Sequence, residues 1–185
     1  MMKTKLAASP EATGDRRRLT GLFSSGDAAE RAYQICIDRG HAVGDVNIVV
    51  SEGTRSKLLQ SEEAIKAELA SRKTEGGELG GPDGGRVGIL VTIFAAVGAA
   101  VALPATGFIA GPIAVALTAA GAAGAAAGLV TALSDWGVPS DRVRHYEAGI
   151  RKGDILLMVE ARSAVEARQI ADEWKKLGGK DVIYG

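Results

Sequence analysis

Between Arg86 and Asp135 the chain carries no charged residue. The block Val87–Ser134 reads VGILVTIFAAVGAAVALPATGFIAGPIAVALTAAGAAGAAAGLVTALS, and any fold must keep most of it from water. A helix that is apolar on every side is buried, in protein or in lipid. The block has two halves. As helices, Val87–Leu103 would span roughly 26 Å and Ile113–Leu133 roughly 32 Å. A bilayer core is about 30 Å thick. Pro104, Gly107, Gly111 and Pro112 stand between the halves and interrupt a helix. The expected shape is a helical hairpin with both ends on one side.

The halves differ in strength. Ile89, Leu90, Val91, Ile93, Phe94 and their apolar neighbours favour insertion of the first by roughly 3 to 5 kcal/mol. The second is alanine and glycine through its middle and gains only about 2 to 3.5 kcal/mol. It therefore needs a partner. Gly121, Gly124 and Gly128 give it a small-residue flank, with Gly124-x-x-x-Gly128 at the spacing that lets helix backbones approach closely. Gly88 and Gly98 serve the first half in the same way, and Gly107 and Gly111 lie at the turn. These seven glycines are the expected membrane and self-association positions. Arg86 and Trp136 flank the block as interfacial anchors, although Trp136 suits packing against the folded part equally well. Two environments fit the block: a bilayer, or the shared core of a soluble homo-oligomer. Its length and lack of charge favour lipid. The weak second half keeps the other open.

Formal charge balances at 22 basic and 22 acidic residues, which argues against a dedicated nucleic-acid binder. Cys36 is the single cysteine, so no internal disulfide forms, as suits a reducing cytosol. Met1–Pro10 lacks the apolar core of a signal peptide. Arg86, Arg142 and Arg144 agree with cytoplasmic flanks. The expected location is the inner membrane with the polar domain in the cytoplasm, or, for a soluble oligomer, the cytoplasm itself.

Residues 1–18 read as a flexible arm ending in Arg16-Arg17-Arg18, which suits anionic headgroups or a solvated lead-in. Residues 19–73 read as strand, helix and strand followed by a charged helix. Leu19–Phe23 is the first strand. Asp27 is placed to cap a helix whose apolar face carries Ala29, Ala32, Tyr33, Cys36 and Ile37, and Gly40 ends it. Val46–Val50 is the second strand. Thr54–Lys73 is the charged helix, with Leu58 in a thin apolar stripe. Residues 74–86 form a glycine-rich linker. No Gly-Lys-Ser/Thr follows these glycines, so they are not a phosphate loop. Residues 87–134 are the apolar hairpin.

Residues 135–185 complete the domain. Ser140 is placed to cap a helix with Val143, Tyr146 and Ile150 on one face, stopped by Gly153. Asp154–Glu160 is a strand apolar enough to be central. Ser163–Leu177 is a helix with Ala164, Ala167, Ile170, Ala171 and Trp174 inward, and Lys180–Tyr184 is a last strand. The two ends repeat each other as strand–helix–strand units. Together they predict an α+β fold: a ferredoxin-like split βαβ arrangement, four antiparallel strands with two helices on one face, interrupted by the inserted hairpin.

Thr20-Gly21-Leu22-Phe23, the following Ala29-Glu30-Arg31-Ala32, the Gly/Ala-rich block and Val138–Leu157 together resemble a bacterial family, the general stress proteins of the heat-induced type. The stretch Tyr146-Glu147-x-Gly149-x-x-x-Gly153 carries most of the likeness. The resemblance spans roughly Leu19–Tyr184. It implies a stress-linked bacterial protein and brings no catalytic residue with it.

No enzymatic constellation stands out. His41 and His145 have no Cys or His partner at metal-ligand spacing. His145 beside Tyr146 and Glu147 is ordinary for a surface helix. Cys36 lies on an apolar face and reads as a small buried hydrophobe, and Phe23 and Tyr33 read as core. No catalytic residue, metal or cofactor is expected. The expected partners are membrane lipid and other copies of the chain. The first reading is a self-assembling structural protein of the membrane, and the second is a soluble oligomeric binding or chaperone-like module. The third, a small-molecule sensor or enzyme, would use the open face of the sheet.

Overall fold

A computed structural model describes residues 16–42, 44–58, 60, 101–103, 107–111, 114 and 128–185. Among these, β1 is Arg17–Phe23, α1 Gly26–Asp38, β2 Val46–Val50, β3 Val101–Leu103 and β4 Gly107–Ala110. They are followed by α2 Gly128–Asp135, α3 Ser140–Lys152, β5 Ile155–Ala161, α4 Ala164–Lys176 and β6 Lys180–Tyr184. The class is α+β, as expected.

Six strands form one sheet in the order β3-β4-β2-β5-β1-β6, and every neighbouring pair is antiparallel. β5 therefore lies between β1 and β2, which run parallel to each other. Apolar side chains fill both faces of β5, which explains its central place. Ile155, Leu157 and Val159 belong to one buried cluster, Leu156 and Met158 to another. The C-terminal half supplies a strand to the middle of the N-terminal half's pair, so neither half closes a core alone.

The first cluster packs α1 and α4 on the sheet. Ala29, Ala32, Tyr33, Cys36, Ile170, Ala171 and Trp174 meet Leu19, Phe23, Val46, Ile48 and Val50. Trp174 sets its ring edge-on to Phe23 at 5.5 Å and donates its indole N–H to the Ala32 carbonyl at 2.9 Å. Gly21 makes room for it: a Cβ there would stand 2.7 Å from the indole.

The second cluster corrects one expectation. The other face of the sheet is not open. Val143, Tyr146 and Ile150 of α3, with Leu133 of α2, cover Leu22, Val49, Ile109, Leu156 and Met158. The reason lies in the strands themselves, whose second set of alternating residues is also apolar and must be shielded.

The apolar block supplies further corrections. Val101–Leu103, expected to end the first long helix, is a strand, and Gly107–Ala110, expected in a turn, is another. β4 pairs with β2 through Ile48↔Ala110 and Val50↔Phe108, which widens the sheet from four strands to six. Val101, Phe108 and Ile109 belong to the β-branched and aromatic types that strands favour, and the unpaired edge of β2 gave them a template. At the far end of the block, Gly128–Asp135 is helical, as expected for the end of the second half. Residues 87–100, 104–106, 112–113 and 115–127, with the linker 74–86 and most of the charged helix, lie outside the described residues. Among those described, no helix is long and apolar enough to cross a membrane.

Helix ends differ in detail from expectation. Ser25, not Asp27, caps α1, its hydroxyl accepting from the Ala28 N–H at 3.2 Å. Asp27 is the second residue of the helix, in the first turn, where its charge faces the helix dipole. Pro139, not Ser140, precedes α3, with no side-chain cap bond. Ser51 starts the helical residues 52–58 by accepting from Thr54 N–H. Arg17 and Arg18 belong to β1 rather than to an arm, paired in register with Ala161 and Glu160.

Candidate functional site

The motif Tyr146-Glu147-x-Gly149-x-x-x-Gly153 acquires a structural meaning in α3. Gly153 takes φ +104 and caps the helix in the left-handed conformation, which glycine adopts freely. Gly149 lets the helix sit directly on the sheet, since a Cβ there would collide with the Leu22 side chain. Tyr146 is fully buried. Its hydroxyl donates to the Asp181 carbonyl at 2.7 Å and lies 2.8 Å from Thr20 Oγ1. The single phenolic proton goes to Asp181, so Thr20 is the donor to Tyr146. Burial pushes the Tyr146 hydroxyl up to about 12, although the Thr20 bond works the other way. Asp181 takes φ +49, the one positive value outside glycine among the described residues. Its carboxylate meets Arg142 at 2.6 Å, and His145 Nε2 lies 3.8 Å away.

Beside this network lies a groove of about 600 Å³, between α3 and the start of β1. Arg16, Arg18, Trp136, Arg142, Glu160 and Tyr184 are among its lining residues. Arg18 places its guanidinium 5.1 Å from the centre of the Trp136 ring and donates to the Asp135 carbonyl at 2.9 Å. Arg16 pairs with Glu160 at 3.3 Å in an exposed contact. Trp136 is half-buried against the second cluster. Its indole N–H is shielded from solvent and has no hydrogen-bond partner. A buried donor left in that state costs about 1–3 kcal/mol.

A second cleft, about 420 Å³, opens at the start of α1. Ser24, Asp27, Glu30, Lys57, Lys152 and Asp154 line it, with charges of both signs.

Few of the expected site residues fall on described positions. Gly107 opens β4, and Gly128 opens α2. Gly111, at φ +116, presses on β2, where a Cβ would stand 2.8 Å from the Asn47 Cα. It serves a turn beside the sheet. Gly88, Gly98, Gly121, Gly124 and Arg86 lie outside the described residues. Trp136, expected as an anchor at the end of the apolar block, lies directly after α2 with Arg18 stacked on it.

The titratable residues considered for chemistry are drawn into structural contacts. His41 is buried at the end of α1, its Nε2 3.3 Å from Glu166 Oε1 without hydrogen-bond geometry. That contact is an ion pair only when the imidazole is protonated. Glu166 also accepts from the Arg162 N–H at 2.6 Å. Cys36 is buried, and its thiol donates to the Ala32 carbonyl at 3.6 Å. Burial pushes that thiol up to about 12, against the opposing pull of Arg39. Among the described residues, no three His, Cys, Asp or Glu side chains gather as a metal site would require.

The groove was not visible in the sequence. Arg18 and Trp136 are far apart in the chain, and only the β1–α3 packing brings them together. The one available signal was the position of Trp136 at the end of an uncharged block. Comparison with known protein families, with curated proteins and with solved structures finds no match for this chain.

Proposed function

We propose that this chain is a non-catalytic, self-assembling structural protein of the bacterial inner membrane, acting under stress as its resemblance to the general stress proteins implies. In this reading the α+β domain stays in the cytoplasm. The order β2-β5-β1-β6, with α1 and α4 on one face, supports reading that domain as a ferredoxin-like split βαβ arrangement. The apolar block is then an insertion that lends β3 and β4 to the sheet edge.

One observation carries the proposal. Ile109, Ala114 and Leu133 belong to a single buried cluster, so the described residues on either side of 115–127 share one apolar layer. That intervening segment is uncharged and rich in alanine and glycine. Just beyond it, α2 turns Val130 outward, 49% exposed. An uncharged segment whose flanks lie in one layer suits entry into a bilayer from that side, and its small residues suit packing between copies.

The strands β3 and β4 also favour a second reading. They leave about 14 residues, 87–100, before the sheet, fewer than the roughly 17–25 a spanning helix needs. That shortening suits entry into one leaflet, or a soluble homo-oligomer whose apolar segments share a core.

Flotation of the untagged chain with phosphatidylcholine vesicles after a carbonate wash separates the two. Recovery with the vesicles is expected. Recovery wholly in the soluble fraction, with a discrete assembly on size exclusion without detergent, would replace the membrane reading with the oligomer.

A further inference from the structure

We propose that the groove between α3 and the start of β1 binds the phosphate of an anionic phospholipid headgroup. This rests on the membrane reading above and adds the chemistry of the lipid.

The charge in the groove is arranged for an anion. Arg16, Arg18 and Arg142 line it together with Asp141, Glu160 and the last residue, Gly185, whose backbone pairs with that of Arg18. Arg142 is held in place by Asp181. Arg16 meets Glu160 in an exposed pair, a kind of contact that contributes little and exchanges readily. Arg18 is different. Its acceptor is the Asp135 carbonyl, a neutral group, so no carboxylate contact cancels its charge. The stacking on Trp136 and the bond to Asp135 hold the guanidinium plane, and its other N–H groups are left for a further acceptor. A fixed guanidinium suits two phosphate oxygens at once.

Position supplies the source of the phosphate. Trp136, Gly137, Val138 and Pro139 all line the groove, and they follow the last residues of the apolar block. If that block enters a bilayer, the groove comes to headgroup depth, where tryptophan and arginine are favoured. Trp136 also lines the groove, and its indole N–H is shielded without a partner. A volume of about 600 Å³ accommodates a phosphoglycerol headgroup.

The test uses the full chain on vesicles of phosphatidylcholine alone and of phosphatidylcholine with phosphatidylglycerol. Wild type should partition more strongly onto the anionic vesicles. Arg18→Gln should reduce that partitioning about fivefold, the scale of one arginine near an anionic surface, and leave partitioning onto phosphatidylcholine unchanged. Arg18→Lys should fall between, having charge without the fork. Equal partitioning of wild type and Arg18→Gln on anionic vesicles overturns the proposal. Inorganic phosphate at millimolar concentration is the competitor: if it alone abolishes the anionic preference, the site takes free phosphate and the lipid assignment is overturned.

Failure of the membrane reading leaves a separate readout. Should the chain float with no vesicle, micromolar short-chain phosphatidylglycerol in solution should still change Trp136 fluorescence, read in a Trp174→Phe background, with Arg18 present and not with Arg18→Gln. Absence of that change overturns the groove proposal on its own. Arg18 is exposed, so the variants should fold, which thermal melting followed by circular dichroism verifies.

Discussion

Trp174 of α4 donates its indole N–H to the carbonyl of Ala32 in the middle of α1, 2.9 Å away. The two residues belong to opposite ends of the chain, and the bond ties the two strand–helix–strand units together beneath the sheet. Ala32 O accepts it in addition to its place in the helix. Replacing Trp174 by Phe should therefore strand no acceptor. It should cost about 1–3 kcal/mol, the sum of a lost bond and lost contact, while Trp174→Ala should cost about 3–5 kcal/mol. Urea denaturation of the purified chain measures both. Equal stability of wild type and Trp174→Ala would show that the halves do not depend on this contact.

The Thr20–Tyr146–Asp181 chain of bonds should behave as a unit. Tyr146→Phe keeps the ring and removes the hydroxyl, leaving Thr20 buried without its partner. We expect a loss of about 1–3 kcal/mol. Thr20→Val in the Tyr146→Phe background should recover part of that loss, because both ends of the broken bond are then apolar. A double-mutant cycle in urea gives the coupling, and a coupling near zero would show that the two hydroxyls act independently.

Gly149 offers a test in which helix propensity and packing oppose each other. Alanine is better than glycine inside a helix by about 1 kcal/mol. Here its Cβ would run into the Leu22 side chain. Overpacking of this kind costs about 1–3 kcal/mol, so Gly149→Ala should lower the melting temperature. Adding Leu22→Val should restore part of it. A rise in melting temperature for Gly149→Ala alone would mean that α3 can lift from β1 at little cost.

Cys36 should make folding stability sensitive to alkali. Burial raises the thiol from 9.0 to about 12 in the folded chain. Between those values the unfolded thiol has lost its proton and the folded one has kept it. Unfolding then releases a proton, and stability falls as pH rises. Below about pH 9 the thiol is protonated in both states and contributes no slope. Tyr146 acts in the same sense between 10.0 and about 12. Stability measured in urea should therefore decline above about pH 9, and Cys36→Ala should flatten the first part of that decline. The same burial predicts that a thiol reagent at pH 8 modifies Cys36 only after unfolding. Rapid modification of the native chain would place the thiol at the surface.

The elements of the folded domain were legible because they carry local signals. Ala29, Ala32, Tyr33 and Cys36 recur at helical spacing, Gly40 and Gly153 stop helices, and Val46–Val50 is β-branched almost throughout. The buried face of α4 agrees with its spacing except at Ala164, which is only partly buried. The groove was not legible. Arg18, Trp136 and Arg142 each look like ordinary polar-surface or boundary residues, and nothing local relates β1 to α3.

By itself the sequence determined which segments on either side of the uncharged block become helix or strand, because periodicity acts over a few turns of chain, and it set the expectation that the block itself avoids water. Tertiary structure decided that part of this block adds strands to the sheet, that α3 closes its second face and that Arg18 stacks on Trp136. Those outcomes depend on which apolar surfaces find each other across more than a hundred residues. A strand at an open sheet edge gains backbone hydrogen bonds that no helical periodicity records, and that gain turned Val101–Leu103 from the expected helix into sheet.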